Sequence, residues 1–232
     1  MPLHAVQAVF FDAVGTILHP VPSVSEAYWQ VGREFGSNLS LDEVKAKIKT
    51  AFANQEARFD RDCHRTCEKA EEARWRGVVA ECLPDANNPE ACFRRLHNYF
   101  AQPSNWRLAD GLDEVLASLA NLGLVLGVAS NFDSRLREVS AGFSCLAEMD
   151  HWVISSEIGW RKPSPTFYEH LVEVVGLPAQ SILLVGDDPI NDLEAPKMAG
   201  MQGMLVKGPD CLHTLVNRLG KSPSAGTKVP AG

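Results

Sequence analysis

The sequence predicts an α/β protein, a parallel sheet covered by helices on both faces, with a helical insert after the first strand. Three observations predict it. Short apolar runs at 5–11, 124–129, 151–155, 181–185 and 203–206 have the length and composition of buried strands. Between the later runs lie stretches of helical spacing, and strands alternating with helices imply a parallel sheet. The span 20–102 holds no convincing strand.

The first run, Ala5 to Phe11, stops at Asp12, and Gly15-Thr16 follow as a turn signal. Ser23 with Glu26, and Ser40 with Glu43, form capping-box patterns that open helices. Charged, helix-favouring residues continue to about Arg76. The segment Pro84 to Pro89 reads as a loop, and a further helix is expected from Pro89 to Tyr99. Leu112, Val115, Leu116, Leu119 and Leu122 recur at helical spacing behind Asp110, the expected N-cap. Leu124 to Ala129 is a strand. A helix from about Ser134, a strand at His151 to Ser155, a helix at Pro165 to Val175 and a strand at Ser181 to Val185 follow. A helix from about Asn191 to Ala199, a strand at Gly203 to Val206 and a last helix through Leu212, Leu215, Val216 and Leu219 complete the order. The tail from Gly220 is small, polar and turn-rich, and is expected to be disordered. The expected division is a core of 1–18 and 103–219, a helical insert of 19–102, and a tail of 220–232.

A chain of 232 residues with 45% hydrophobic content can bury a sizeable core. The net charge of −7 offers no basic face, which argues against nucleic acid or an anionic membrane as partner. Six cysteines in a chain this long read as free thiols of a reducing compartment. Cys63, His64 and Cys67 lie close together. No second tight Cys or His pair follows at ligand spacing, so structural zinc is not expected. The N-terminus lacks the build of a signal peptide, and no apolar run reaches the roughly 18 residues of a membrane span. A soluble, cytoplasmic protein is expected.

Four segments carry chemistry. They are Phe11-Asp12-Ala13-Val14-Gly15-Thr16, Ala129-Ser130-Asn131, Gly159-Trp160-Arg161-Lys162-Pro163, and Gly186-Asp187-Asp188-Pro189-Ile190-Asn191-Asp192. Asp12, Ser130 and Asp187 each fall at a predicted strand end, where sites of open parallel sheets lie. Each residue also has a plainer reading: a capping aspartate, the start of a loop, a solvated lysine before a proline turn. Asp187, Asp188 and Asp192 repel one another unless a cation sits among them.

In order, spacing and placement these segments resemble the four motifs of the haloacid dehalogenase (HAD) superfamily, over 1–18 and 103–217, and the insert resembles the helical C1-type cap of that family. The resemblance implies a Rossmannoid three-layer hydrolase. Asp12 would be the nucleophile forming a covalent intermediate. Ser130 would donate a hydrogen bond to the phosphoryl or carboxylate group, with Asn131 beside it. Lys162 would hold Asp12 ionised and neutralise charge on the transferred group. Mg²⁺ would bind Asp12, the main-chain carbonyl of Val14 and Asp187, with Asp192 and Asp188 supporting from behind.

One position departs from the family pattern. Phosphatases of the superfamily carry D-x-D-G-T, and the second aspartate serves as acid and base. Here that residue is Val14. General acid–base help is worth about 10²–10⁴-fold, so an ordinary alkyl phosphate is expected to be a poor substrate. The first motif looks closest to the dehalogenase version, whereas the fourth keeps the metal-type acid. The favoured expectation is a Mg²⁺-dependent phosphoryl hydrolase of a small phosphorylated metabolite with a good leaving group, such as an acyl or aryl phosphate. The alternatives are a 2-haloacid dehalogenase and a fold that binds a ligand with weak or no turnover. His19 is a candidate substitute acid–base group, although a hinge histidine before Pro20 is the plainer reading.

Overall fold

The computed structural model describes residues 6–61, 63–206 and 210–220. Its elements run β1 (Ala8–Phe11), β2 (Leu18–Pro20), α1 (Val24–Glu34), α2 (Leu41–Arg61), α3 (Glu68–Cys82), α4 (Pro89–Tyr99) and β3 (Trp106–Leu108). Then come α5 (Leu112–Asn121), β4 (Val125–Ser130), α6 (Arg135–Ser140), β5 (His151–Ile154), α7 (Ser155–Ile158), α8 (Pro165–Val175) and β6 (Ile182–Gly186). A π-helical turn at Pro189–Glu194, α9 (Ala195–Met198), β7 (Gln202–Leu205) and α10 (Asp210–Leu219) close the order.

Five strands form one parallel sheet in the order β5-β4-β1-β6-β7. All four residues of β1 are buried, as an apolar run between two neighbouring strands requires. Alternation along the strands builds two cores. Val9, Phe11, Val128, Leu183 and Val185 face α5 and α10 through Leu112, Val115, Leu119, Leu212 and Leu215. Ala8, Phe10, Ala129, Ile182 and Leu184 face α8 through Phe167, Tyr168 and Leu171. This is the expected sheet with helices on both faces.

Helices α1 to α4 follow β2 and precede β3. The two capping boxes are formed: Glu26 N–H donates to Ser23 Oγ at 3.4 Å, and Glu43 N–H to Ser40 Oγ at 3.3 Å. Asn88 caps α4, accepting from Ala91 N–H at 3.1 Å, with Pro89 in the first turn. The insert shares the first core, where Tyr28, Val31, Val78, Leu83 and Leu96 join the residues under the sheet.

Several sequence expectations are corrected. The helical stretch from Ser23 to Arg76 is three helices, and the last of them runs on to Cys82. The residues flanking the insert form a short antiparallel pair, with His19 opposite Arg107 and Leu18 opposite Leu108. Strands of three residues lie below the length at which alternation is legible. The N-cap of α5 is Gly111 in the left-handed region, not Asp110, whose carboxylate pairs instead with Arg107 at 3.2 Å. The stretch from Asn191 to Ala199 is a π-helical turn followed by one short helix. The tail beyond Gly220, and Ala5 at the start of the first predicted strand, lie outside the described residues. Among the described residues no helix is long and apolar enough to cross a membrane.

Candidate active site

Parallel strands bring their carboxyl ends to one edge, and the site is built there. Asp12 follows β1 directly. Its N–H donates to Val185 O at 2.8 Å, which ties it level with the end of β6. Ser130 ends β4 and is buried, while Asp187 follows β6 and is exposed.

Two glycines make room for the carboxylates. Gly15 has φ +96°, which favours glycine, and a Cβ there would stand 2.6 Å from Asp187 Oδ2. A Cβ on Gly186 would stand 2.1 Å from Asp192 Oδ2. The glycines of the first and fourth segments are thus steric necessities of the acid cluster. Thr16 Oγ1 donates to Asp187 Oδ1 at 3.4 Å.

Lys162 is the centre of the charge pattern. Its Nζ donates to Asp12 Oδ1 at 2.8 Å, Asp192 Oδ1 at 2.7 Å and Ala129 O at 3.0 Å. An ammonium has three donors, so all are engaged. Burial opposes its charge, yet Asp12 and Asp192 outweigh burial and raise its pKa well above the lysine range. Asn131 holds the lysine's main chain at both ends: its Oδ1 accepts from Lys162 N–H at 2.7 Å, and its Nδ2 donates to Lys162 O at 2.9 Å. The amide of Asn131 is therefore committed to placing Lys162.

Asp12, Asp187 and Asp192 each offer an oxygen, and these oxygens lie within 4.8 Å of one another. Burial pushes the Asp12 carboxyl up to about 6; Asp192 and Asp187 add to the rise, while Lys162 opposes it. Burial and then Asp192 raise Asp187 as well. Three carboxylates face one ammonium, an all-oxygen donor set with an excess of negative charge that suits a hard divalent cation. Asp188 stands apart from this trio. Its Oδ1 accepts from Ile190 N–H and Asn191 N–H at 2.8 Å each, capping the π-helical turn. Its N–H donates to Asp192 Oδ2 at 3.1 Å, so Asp192 is held at both oxygens.

His19 lies on β2 at the junction of core and insert. It lines a small cavity of about 120 Å³ with Gly15, Thr16, Arg107 and Asp110. Burial, and then Arg107, lower its pKa below the usual histidine value. Val14 is half-buried and lines a different cavity, of about 160 Å³, between the core and the insert.

Sequence reasoning missed a second layer. Arg161, next to Lys162, is buried, and its guanidinium bonds Glu71 of α3 and Glu56 of α2, the latter at 2.9 Å. Arg74 of α3 reaches the same Glu56 at 2.5 Å. Burial opposes ionisation of Glu56, but Arg161 and Arg74 outweigh it and lower its pKa. The backbone adds Thr66 N–H to Gly159 O at 3.0 Å and Arg161 N–H to His64 O at 2.9 Å. The loop carrying Lys162 is thereby fastened to the insert. These partners are about 90 to 105 residues apart in sequence, beyond any local signal.

A buried aspartate is thus held by a lysine at the carboxyl edge of a parallel sheet, beside two further carboxylates. The family profile of haloacid dehalogenase-like hydrolases matches residues 6–200, and the chain belongs to that family. It is 27% identical over 210 residues to the haloacid dehalogenase-like hydrolase domain-containing protein 3 of Danio rerio, covering 88% of this chain and 86% of that protein. It is 24% identical over 219 residues to a phosphoserine phosphatase of Thermus thermophilus, covering 85% of this chain and 87% of the relative. Its fold is similar to a crystal structure of an L-2-haloacid dehalogenase, with a TM-score of 0.71 at 18% identity, covering 94% of this chain and 100% of the other.

Proposed function

We propose that the chain is a Mg²⁺-dependent phosphoryl hydrolase acting on a small phosphate ester with a good leaving group, with residues 19–102 as its cap. The observation that carries this reading is the trio Asp12, Asp187 and Asp192, whose oxygens lie within 4.8 Å of one another, with Lys162 bonded to Asp12 and Asp192. So many carboxylates at a largely desolvated strand end are costly without a cation. The relation to a phosphoserine phosphatase adds support.

Asp12 and Asp187 would hold Mg²⁺, with the main-chain carbonyl of Val14, and Asp192 would act through Lys162. When bound, Mg²⁺ supplies charge to offset the phosphoryl oxygens. Lys162 engages Asp12 Oδ1, so Oδ2 is the oxygen that attacks phosphorus. The bond from phosphorus to the leaving oxygen breaks as the new bond to Asp12 forms. The leaving oxygen departs with the electron pair and takes a proton from solvent, because Val14 has none to give. Water then attacks phosphorus, returning the Asp12 carboxylate and releasing inorganic phosphate. Ser130, buried at the end of β4, the strand paired with β1, would donate to a phosphoryl oxygen.

One observation favours a second reading, 2-haloacid dehalogenation. Val14 withholds the proton that an alkoxide needs and a halide does not. A panel of alkyl, acyl and aryl phosphates and 2-haloacids, assayed with Mg²⁺ and with EDTA, separates the two. Mg²⁺-dependent phosphate release lost in Asp12→Asn supports the proposal. EDTA-resistant halide release overturns it, and turnover of neither class leaves a ligand-binding protein.

A further inference from the structure

The cavity at Val14 has walls that specify an occupant. Tyr28, Phe52, Trp75, Phe100, Trp106 and Phe132 form them, drawn from the insert, from β3 and from the loop after β4. Val14, two residues after Asp12, and Asn131, next to Ser130, also line it. The rings pack edge-to-face or tilted on one another: Phe52 on Trp75 at 5.7 Å, Phe100 on Trp106 at 6.0 Å, Trp106 on Phe132 at 6.3 Å. Such walls are rigid and present apolar faces.

Two arginines also line the cavity, and both are neutralised. Arg135 makes a bidentate pair with Asp133 at 2.7 and 2.6 Å and donates to His97 O at 3.1 Å. Arg74 pairs with Glu56, which it shares with Arg161, and Arg161 pairs in turn with Glu71. That makes two guanidinium groups against two carboxylates. The guanidinium of Arg74 lies over Trp75 at 4.6 Å, and that of Arg135 lies 5.5 Å from both Trp75 and Phe132. No uncommitted cation remains among these residues to receive a second anionic group. Arg74 Nε and Trp75 Nε1 are buried without a hydrogen-bond partner, and unanswered buried donors are rare in a folded chain.

We infer that this chamber receives the leaving group of the substrate, and that the leaving group is a single aromatic ring with no charged substituent, so that the substrate is an aryl phosphate ester. The inference rests on the phosphoryl reading above. An apolar cavity of about 150 Å³ accommodates benzene, and this one measures about 160 Å³. A nucleoside is too large for it. The chemistry agrees with the geometry. Attack by Asp12 Oδ2 expels an aryloxide, which carries the electron pair on a ring-stabilised oxygen and needs no proton in the step. An apolar residue at position 14 then belongs to the chamber wall.

The experiment separates ring recognition from leaving-group basicity. Benzyl and ethyl phosphate both release an alkoxide, and only one carries a ring. With the full chain and Mg²⁺, kcat/KM for benzyl phosphate is expected to exceed that for ethyl phosphate at least tenfold. Phenylphosphonate, which cannot be hydrolysed, is expected to bind at least tenfold more tightly than methylphosphonate by calorimetry. Trp75→Ala, which opens the wall, and Val24→Phe, which fills the cavity from α1, should each collapse both ratios toward one. Two variants of opposite volume change guard against a fold that fails in one of them. Equal affinity of the two phosphonates overturns the inference, as does an unchanged ratio in a folded variant. Benzyl alcohol, titrated by tryptophan fluorescence, tells the two failures apart. Ring binding without any phosphate turnover sinks the phosphoryl reading and keeps the chamber. Phosphate turnover with no ring preference sinks the chamber and keeps the phosphoryl reading.

Discussion

Replacing Lys162 by methionine tests the charge balance on which the site depends. The substitution keeps length and apolar bulk. It removes three hydrogen bonds, to Asp12, Asp192 and Ala129 at 2.8, 2.7 and 3.0 Å, and leaves two buried carboxylates without a counter-charge. Removing one partner of a buried ion pair costs about 3–5 kcal/mol. For a chain of this size each kcal/mol moves Tm by about 2–4 °C, so the metal-free variant should melt roughly 6–20 °C below the parent. The sign with pH follows from the acids. Burial already holds Asp12 near 6, above its ordinary 3.8, against the pull of Lys162. Without the lysine its folded pKa rises further. A raised acid contributes most to stability when protonated and loses that contribution as pH rises through the folded value. The deficit of Lys162→Met should therefore be small near pH 5 and full at pH 8. Mg²⁺ should narrow the gap at pH 8, because a divalent ion takes over part of the lysine's work, and saturation a hundredfold above Kd is worth about 2.7 kcal/mol. Calorimetry at both pH values, with EDTA and with Mg²⁺, reads all three effects. Equal deficits at pH 5 and pH 8 would refute the charge argument and reduce Lys162 to a packing residue.

Three further outcomes are expected. Val14→Asp should raise alkyl phosphate turnover about 10²-fold and aryl phosphate turnover far less, because only the alkoxide needs the proton; equal gains in a leaving-group series would show that position 14 is not where the proton is missing. Mg²⁺ affinity, measured by titration calorimetry, should weaken by about tenfold per pH unit below 6, as Asp12 takes up a proton that competes with the metal; a flat profile from pH 5 to 8 would remove Asp12 from the ligand set. Gly15→Ala and Gly123→Ala both place a side chain at positive φ, +96° and +75°, but only the first meets Asp187. Both should lose about 1–3 kcal/mol of stability from backbone strain, and only Gly15→Ala should also lose Mg²⁺ binding, so a matching loss in Gly123→Ala would refute the steric account.

Legibility in the sequence followed the range of the interaction. The sheet strands could be read because burial on both faces leaves continuous apolar runs such as Leu183-Leu184-Val185, and α8 because Pro165 and Gly176 bracket it. Asp12, Lys162, Asp187 and Asp192 could be picked out because each sits at a fixed offset from a strand end or a glycine. The chamber could not. Tyr28, Phe52, Trp75 and Phe100 come from four different helices or their ends, and nothing in the spacing of one helix reports what faces it from another. The same holds for Arg161, whose partners Glu56 and Glu71 look like ordinary surface charges of amphipathic helices. The misplaced N-cap at Asp110 has the opposite cause. A local rule pointed to the aspartate, and another local contact, with Arg107 three residues earlier at the end of β3, took its carboxylate.

Val14 links the two scales. A carboxylate at that position has to be solvated or paired, and the neighbours on the chamber side are aromatic rings and arginines already matched to their own acids. An aspartate there would face an apolar wall on one side and the acid trio on the other, and both raise its pKa. A neutral carboxylic acid can still donate a proton in the first step but is slow to activate water in the second. The chamber and the acid–base group therefore compete for one residue. The competition has a low cost only if the leaving group departs unprotonated, and the aromatic walls favour a group of that kind. The neutral network of Arg161, Glu56, Glu71 and Arg74 enforces the arrangement. It ties α2 and α3, which supply Phe52 and Trp75 to the chamber, to the loop that carries Lys162, so that one set of ion pairs holds both the chamber wall and the lysine loop.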